Sequence, residues 1–316
     1  MNYLSVQDID DLPTWVSEAI ALKRNPLSNQ SLGKDKTIGL LFFNPSLRTR
    51  LSTQKAAENL GLNCMVMNFG QEGWALEFAD GVVMDQGKAE HVKDAARVIS
   101  QFCDIIAIRA FAGLKDRELD RAELVLNGFE KYATVPILNM ESSVGHPLQA
   151  LADAITIQEC RLDNKPRPKV VLSWAPHPRA LPHAVANSFA EMMHKQDMEF
   201  VITHPEGYEL DKEIVQQATV EYDQNKALEN ADFVYVKNWS STSEYGKVIN
   251  TDPNWMLTSE KMDLTNKAKF MHCLPVRRNV VAEDSVLDDE NSVVIDQANN
   301  RTFSAQLVLK KILENL

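Results

Sequence analysis

Within seven residues, Asn44-Pro45-Ser46-Leu47-Arg48-Thr49-Arg50, the chain gathers two hydroxyls and two guanidiniums, directly after an apolar run ending at Phe43 and before the helical pattern Leu51 to Leu60. Ser46 is expected as the N-cap of that helix. Backbone N–H groups, the helix dipole and two cations around one point suit a phosphate dianion. The glycines of a nucleotide loop are missing, because neither GxGxxG nor GxxxxGK[ST] occurs in the chain. Other chemically capable residues follow: Arg109 at the end of a strand-like run, His146-Pro147-Leu148-Gln149, Pro176-His177-Pro178-Arg179, Lys237-Asn238-Trp239, His272-Cys273-Leu274-Pro275, and Arg301 before the last helix.

The elements that must position these residues read as alternating strands and helices. Candidate strands are 37–43, 63–69, 104–108 and 135–140 in the first half, then 169–174, 198–203, 233–237, 269–273 and 292–296. Such alternation implies an α/β fold of two doubly wound, parallel-sheet domains with helices on both faces. Ligands in such folds lie beyond the carboxyl ends of strands, where Ser46, Arg109 and Lys237 fall. Domain one is expected over residues 1–150, domain two over 151–300, with a helix at 302–316 packing back. A helix from about Ala150 to Cys160 bridges the halves, and the polar segment Arg161 to Lys169 marks the crossing.

Composition narrows the function. A chain of 316 residues exceeds the usual single core, and its net charge of -11 opposes nucleic-acid binding. The acidic start and the lack of a long apolar run argue against a signal peptide and a membrane span. Four scattered cysteines without CxxC spacing suggest a reduced, cytoplasmic protein. His177 and His183 lack a third metal ligand nearby, so no metal is expected.

Ser46-x-Arg48-Thr49-Arg50 resembles the carbamoyl-phosphate signature of the aspartate and ornithine carbamoyltransferase family. His146-Pro147-Leu148-Gln149-Ala150-Leu151-Ala152-Asp153 resembles its HPxQxLxD, and His272-Cys273-Leu274-Pro275 the HCLP of its ornithine branch; Arg109 and Arg301 match two further arginines. The resemblance implies that Ser46, Leu47, Arg48, Thr49 and Arg109 hold carbamoyl phosphate. Arg48, Thr49 and His146 would polarise the carbonyl, Gln149 would meet the carbamoyl amide, and Arg301 would face the carbonyl oxygen. Cys273 and Leu274 would lie near the attacking amine, with no covalent intermediate and no cofactor. Trp74 would enter a neighbouring subunit's site, implying a homotrimer with shared active sites.

The ordinary ornithine enzymes carry an aspartate and a Ser-Met-Gly segment for the free α-amine; here Lys237-Asn238-Trp239-Ser240-Ser241-Thr242 follows the corresponding strand. A cation cannot pair with an ammonium group. The pattern resembles the N-acetylornithine and N-succinylornithine branch, in which Glu141, His177, Lys237 and Arg277 would hold an N-acylornithine on the way to arginine, and the loop Pro176 to Pro182 would be threaded as a knot. Glu90, in the mobile loop Asp85 to His91, would repel a succinyl carboxylate and tolerate acetyl, whereas the remainder of the chain resembles the succinyl branch, where proline is usual at this position. The rival readings are a plain ornithine carbamoyltransferase and a non-catalytic binding protein of the same fold. A nicotinamide-dependent dehydrogenase lacks its glycine fingerprint.

Overall fold

The computed structural model describes residues 1–161 and 165–316, so Leu162, Asp163 and Asn164 of the expected crossing lie outside the described residues. The chain divides into two compact units: residues 1–113, 117–148 and 301–316 form the first, and residues 114–116 and 149–300 the second.

The first unit is built on a parallel sheet in the order β2-β1-β5-β6, with β1 Thr37–Phe42, β2 Asn63–Asn68, β5 Ile105–Arg109 and β6 Ile137–Glu141; two short strands, β3 Leu76–Glu77 and β4 Glu90–His91, pair separately. From Ile38 onward β1 is wholly buried, as is β5, which is why both read as continuous apolar runs. The sheet register decides what lies at its carboxyl edge. Phe42 pairs with both Asn68 and Arg109, and a shift after Ile108 sets Arg109 opposite Glu141. Such a bulge re-aims a side chain at a sheet end.

The helix after β1 is Arg48–Asn59. It ends in a Schellman motif: Gly61, at φ +80°, donates to Glu58 O, and Leu62 N donates to Ala57 O. Its start differs from expectation. The capping position is Leu47 in a helical conformation with no side-chain hydrogen bond, so Ser46 lies one residue outside and does not cap.

The second unit holds a parallel sheet in the order β11-β10-β7-β8-β9, with β7 Lys169–Trp174, β8 Glu199–Thr203, β9 Thr219–Glu221, β10 Phe233–Lys237 and β11 Lys269–Met271. Buried Val171, Val201, Val234, Val236 and Phe270 anchor its core. The loops after β7 and β10 are laced together: Trp174 Nε1 donates to Trp239 O (3.0 Å), Ser240 N to Leu181 O (2.8 Å) and Asn238 Nδ2 to Ala175 O (2.7 Å). This fixes the proline-rich segment beside the end of β10.

One expected strand is absent. In residues 292–296 Ser292 forms an isolated bridge with Phe270, and from Val294 the chain is already helical. The apolar pair Val293-Val294 looked β-like, but the long run that follows has helical period and recruits it. The last helix is therefore Val294–Leu313, eight residues longer at its start than expected. No described helix is long and apolar enough to cross a membrane.

A buried polar clasp ties that helix into the first unit: Asn59 Nδ2 donates to Gln306 Oε1 (2.8 Å), and Gln306 Nε2 to Pro26 O (2.6 Å). Asn59→Leu leaves the Gln306 oxygen buried without its donor, and is expected to cost about 1–3 kcal/mol. Denaturant titration reads this as a lower midpoint; an unchanged midpoint would show that the clasp contributes nothing.

Candidate active site

The residues singled out by sequence fall into two groups, one in each unit. In the first unit Thr49, from the first turn of its helix, meets Arg301 from the last helix and His146 from just before Pro147. Arg301 Nη2 donates to Thr49 Oγ1 at 2.6 Å and lies 3.3 Å from His146 Nε2. All three are at most 5% exposed. Because Thr49 accepts from the guanidinium, its own hydroxyl proton is directed elsewhere and can serve an anion. Donation from Arg301 also makes Nε2 the acceptor of His146 and puts the ring proton on Nδ1.

Arg109 is the second buried guanidinium. Its Nε donates to Glu141 Oε2 at 3.0 Å, while Nη1 donates to Asn44 O and Pro45 O, both at 3.0 Å. Phe111 stacks beneath it at 4.4 Å. Glu141, expected on the acylornithine, thus lies in the first unit with its carboxylate against Arg109 and 3.7 Å from His146 Nε2. Ser46, Leu47 and Arg50 line an adjoining cavity of about 510 Å³ together with Asn68, Gly70 and Gln71. Arg48 opens the helix beside them, half-buried.

Trp74 and Glu90 form a separate pair in the segment 70–91: the indole Nε1 donates to Glu90 Oε2 at 2.8 Å. β3 and β4 pair within this segment, closing the stretch 76–91. Its other carboxylates build the loop itself. Glu72 accepts from Asn68 N, and Glu77 accepts from the N–H groups of Phe78 and Ala79 and from Lys88 Nζ.

In the second unit Arg277 Nε donates to His177 Nε2 at 3.0 Å, and His177 Nδ1 lies 2.8 Å from Arg179 O. With Nε2 accepting from Arg277, a neutral ring carries its proton on Nδ1, which faces both the carbonyl oxygen of Arg179 at 2.8 Å and the Arg179 N–H at 3.1 Å. Burial is the main cause that pushes the His177 pKa below the ordinary imidazole value, and the charges of Arg277, Lys237 and Arg179 push the same way. A neutral ring among three cations is suited to a carboxylate. Asn238, next to Lys237, is buried and donates to Ala175 O.

The segment His272 to Pro275 is held by its own imidazole: His272 Nδ1 accepts from Leu274 N at 2.8 Å. Leu274 adopts a left-handed conformation, φ +54°, which costs a non-glycine residue on the order of 1–2 kcal/mol. Cys273 is buried beside it. Gln149 Nε2 donates to Asp153 Oδ1 at 2.8 Å, and Gln297 Nε2 reaches the same oxygen at 2.7 Å. Asp153 ends the HPxQxLxD match with no role assigned to it there, and Gln297 lies outside every motif singled out from sequence. A lone acid in the apolar stretch Ala150 to Ile155, four residues after Gln149, was the available signal, since such a pair shares a helix face. Among the described residues no group of three or more His, Cys, Asp or Glu side chains is placed to hold a metal ion.

Residues 2–159 match the aspartate/ornithine carbamoyltransferase carbamoyl-P binding domain, and residues 182–312 match the Asp/Orn binding domain of the same enzymes. The chain belongs to the aspartate/ornithine carbamoyltransferase family. This carbamoyltransferase-family chain is 51% identical, over its whole length and 99% of the other's, to an N-succinylornithine carbamoyltransferase of Bacteroides fragilis. It is 35% identical to an N-acetylornithine carbamoyltransferase of Xanthomonas campestris, covering 99% of this chain and 97% of the relative. Among solved structures it matches an N-acetyl-L-ornithine transcarbamylase in which a glutamate is replaced by proline, complexed with carbamyl phosphate and N-succinyl-L-norvaline. There the TM-score is 0.92 and the identity 35%, with 99% of each chain covered.

His177 gives a prediction with a definite sign. Its depressed pKa means that, as pH falls through the ordinary imidazole range, the unfolded chain takes the proton first and this group's contribution to stability declines. A carboxylate bound beside it favours the imidazolium, so the His177 resonance, followed by NMR, is expected to titrate below the ordinary value in the unliganded protein and to move upward when an acylornithine binds. No movement would place the carboxylate elsewhere.

Proposed function

We propose that this protein transfers the carbamoyl group of carbamoyl phosphate to the δ-amine of an N2-acylated L-ornithine, giving an N-acylcitrulline and phosphate. The observation that carries the choice of amine is the cluster of Arg277, Lys237 and Arg179 around neutral His177. A free α-ammonium would be repelled there, whereas a capped α-nitrogen leaves the carboxylate as the charge to be met.

The neutral δ-amine attacks the carbamoyl carbon, the new C–N bond forms, the C–O bond to phosphate breaks, and the surplus amine proton passes to the departing phosphate. Negative charge grows on the carbonyl oxygen and then on phosphate. Thr49, whose hydroxyl proton is not used in the Arg301 contact, and the Arg301 guanidinium at 2.6 Å from it supply preorganised donors for the oxygen, with His146 beside them. Arg109, held by Glu141, with Ser46, Leu47 and Arg48, receives the phosphate. Cys273 and the strained Leu274 turn belong beside the amine. Holding both reactants in place accounts for much of the rate without a covalent intermediate.

The working form is a homotrimer in which the segment 70–91 reaches a neighbour's site. Its apolar exposure supports this: Trp74 is 58% exposed and Val83 81% exposed. The trimer works in the cytoplasm, in keeping with four unbridged cysteines. Glu90, anchored by Trp74, opposes a second carboxylate on the acyl group and favours acetyl over succinyl.

Parallel assays with L-ornithine, N-acetyl-L-ornithine and N-succinyl-L-ornithine test the reading. An acylated substrate is expected to exceed ornithine by about a hundredfold or more in kcat/KM, roughly 3 kcal/mol. Turnover of ornithine alone would overturn the amine assignment. Replacing Glu90 by proline is expected to move the ratio of succinyl to acetyl turnover upward by about tenfold, near 1.4 kcal/mol. A ratio that stays put, or moves toward acetyl, would remove Glu90 from the choice of acyl group.

A further inference from the structure

Along the helix Pro147–Cys160 the buried residues are mostly apolar, with Gln149, Asp153 and Thr156 the exceptions, and Asp153, the one buried acid, has no measurable exposure. Its Oδ1 accepts from two amides at once, Gln149 Nε2 at 2.8 Å and Gln297 Nε2 at 2.7 Å. Both contacts are donations from an amide NH₂ to the carboxyl oxygen, so each amide turns its own oxygen away from Asp153. Gln297 then offers Oε1 to the backbone N–H of His272 at 2.9 Å, and His272 Nδ1 in turn holds Leu274 N. Gln149 is 1% exposed, and its Oε1 has no hydrogen-bond partner among the described residues. A buried acceptor left without a donor is costly unless a ligand supplies one.

We propose that Asp153 is a positioning residue that fixes the Gln149 amide with its oxygen turned away from the carboxylate, as the acceptor for the NH₂ of the carbamoyl group. Through Gln297 the same carboxylate sets the His272 to Leu274 turn. Asp153 touches no substrate. It decides which end of Gln149 the substrate meets. With the amide reversed, Gln149 would present a second NH₂ to the carbamoyl NH₂, donor against donor. The inference rests on the carbamoyltransferase reading and adds to it the origin of selectivity for a carbamoyl over an acyl phosphate.

Acetyl phosphate is the discriminating probe, because it keeps the phosphate and carbonyl and replaces NH₂ by methyl. Equilibrium dissociation constants for the two phosphates are measured on the intact protein, on Asp153→Asn and on Asp153→Ala. The unaltered protein is expected to prefer carbamoyl phosphate by at least about tenfold, near 1.4 kcal/mol. In Asp153→Ala, where the acceptor is gone, the preference is expected to collapse to about twofold. Asp153→Asn keeps the volume and one acceptor but loses the charge, and falls between.

A carboxylate that only strengthened packing would weaken both phosphates alike and leave their ratio unchanged, so a wild-type ratio in both variants would overturn the proposal. If the alanine variant does not fold, the asparagine variant decides by the same ratio. Transfer by the unaltered protein is scored separately: its absence counts against the carbamoyltransferase reading, and an unmoved ratio counts against the role of Asp153.

Discussion

The contact between Arg109 and Glu141 is the constraint on which the first unit's site depends. Both side chains are at most about 8% exposed, and an ion pair so placed loses more hydration than a matched apolar pair would. It is therefore a device for placement rather than a source of stability. The register shift after Ile108 sets the two residues opposite each other, and the guanidinium then holds the carbonyls of Asn44 and Pro45. Those two residues lead directly into the helix beginning at Arg48. Its first turn carries Thr49, which meets Arg301. A sheet irregularity, a loop anchor, a helix start and a donor for developing charge thus form one mechanical sequence.

The two units handle anions in different ways. The first offers guanidiniums steered by a carboxylate, a hydroxyl whose acceptor side is occupied, and the start of a helix. These are suited to a group whose charge changes during reaction. The second surrounds a neutral imidazole with cations, and its His177 accepts from Arg277 because burial keeps the ring uncharged. That arrangement suits a carboxylate that stays ionised throughout. The difference corresponds to the chemistry of the two proposed substrates: one loses phosphate, whereas the carboxylate of the other only anchors it.

Much of this was legible in sequence. β7 and β10 run from Lys169 to Trp174 and from Phe233 to Lys237 as the apolar runs indicated, since strands buried on both faces advertise themselves by continuous apolar character. Residues 292–296 misled, because a short apolar pair does not distinguish a strand from the first turn of a long helix. Ser46 misled for a different reason: its type suits a cap, but Leu47 enters the helical conformation without one. The family motifs identified Thr49, Arg109, His146 and Arg301, whose contacts span up to 252 residues of sequence separation. Residue types could not reveal that Glu141 lies against Arg109 or that Gln149 and Gln297 share one carboxylate oxygen, because both facts depend on register and helix phase between distant segments.

Arg301 lies in the last helix yet completes a group begun at Thr49. In biosynthetic terms, the group is completed late: Thr49 and His146 are synthesised long before the guanidinium that joins them. The first unit waits for its closing segment, residues 301–316, until nearly the whole chain has been translated, whereas the second unit is complete by Asn300. A chain terminated before Arg301 therefore lacks the guanidinium of the first unit's site, however well its second unit folds.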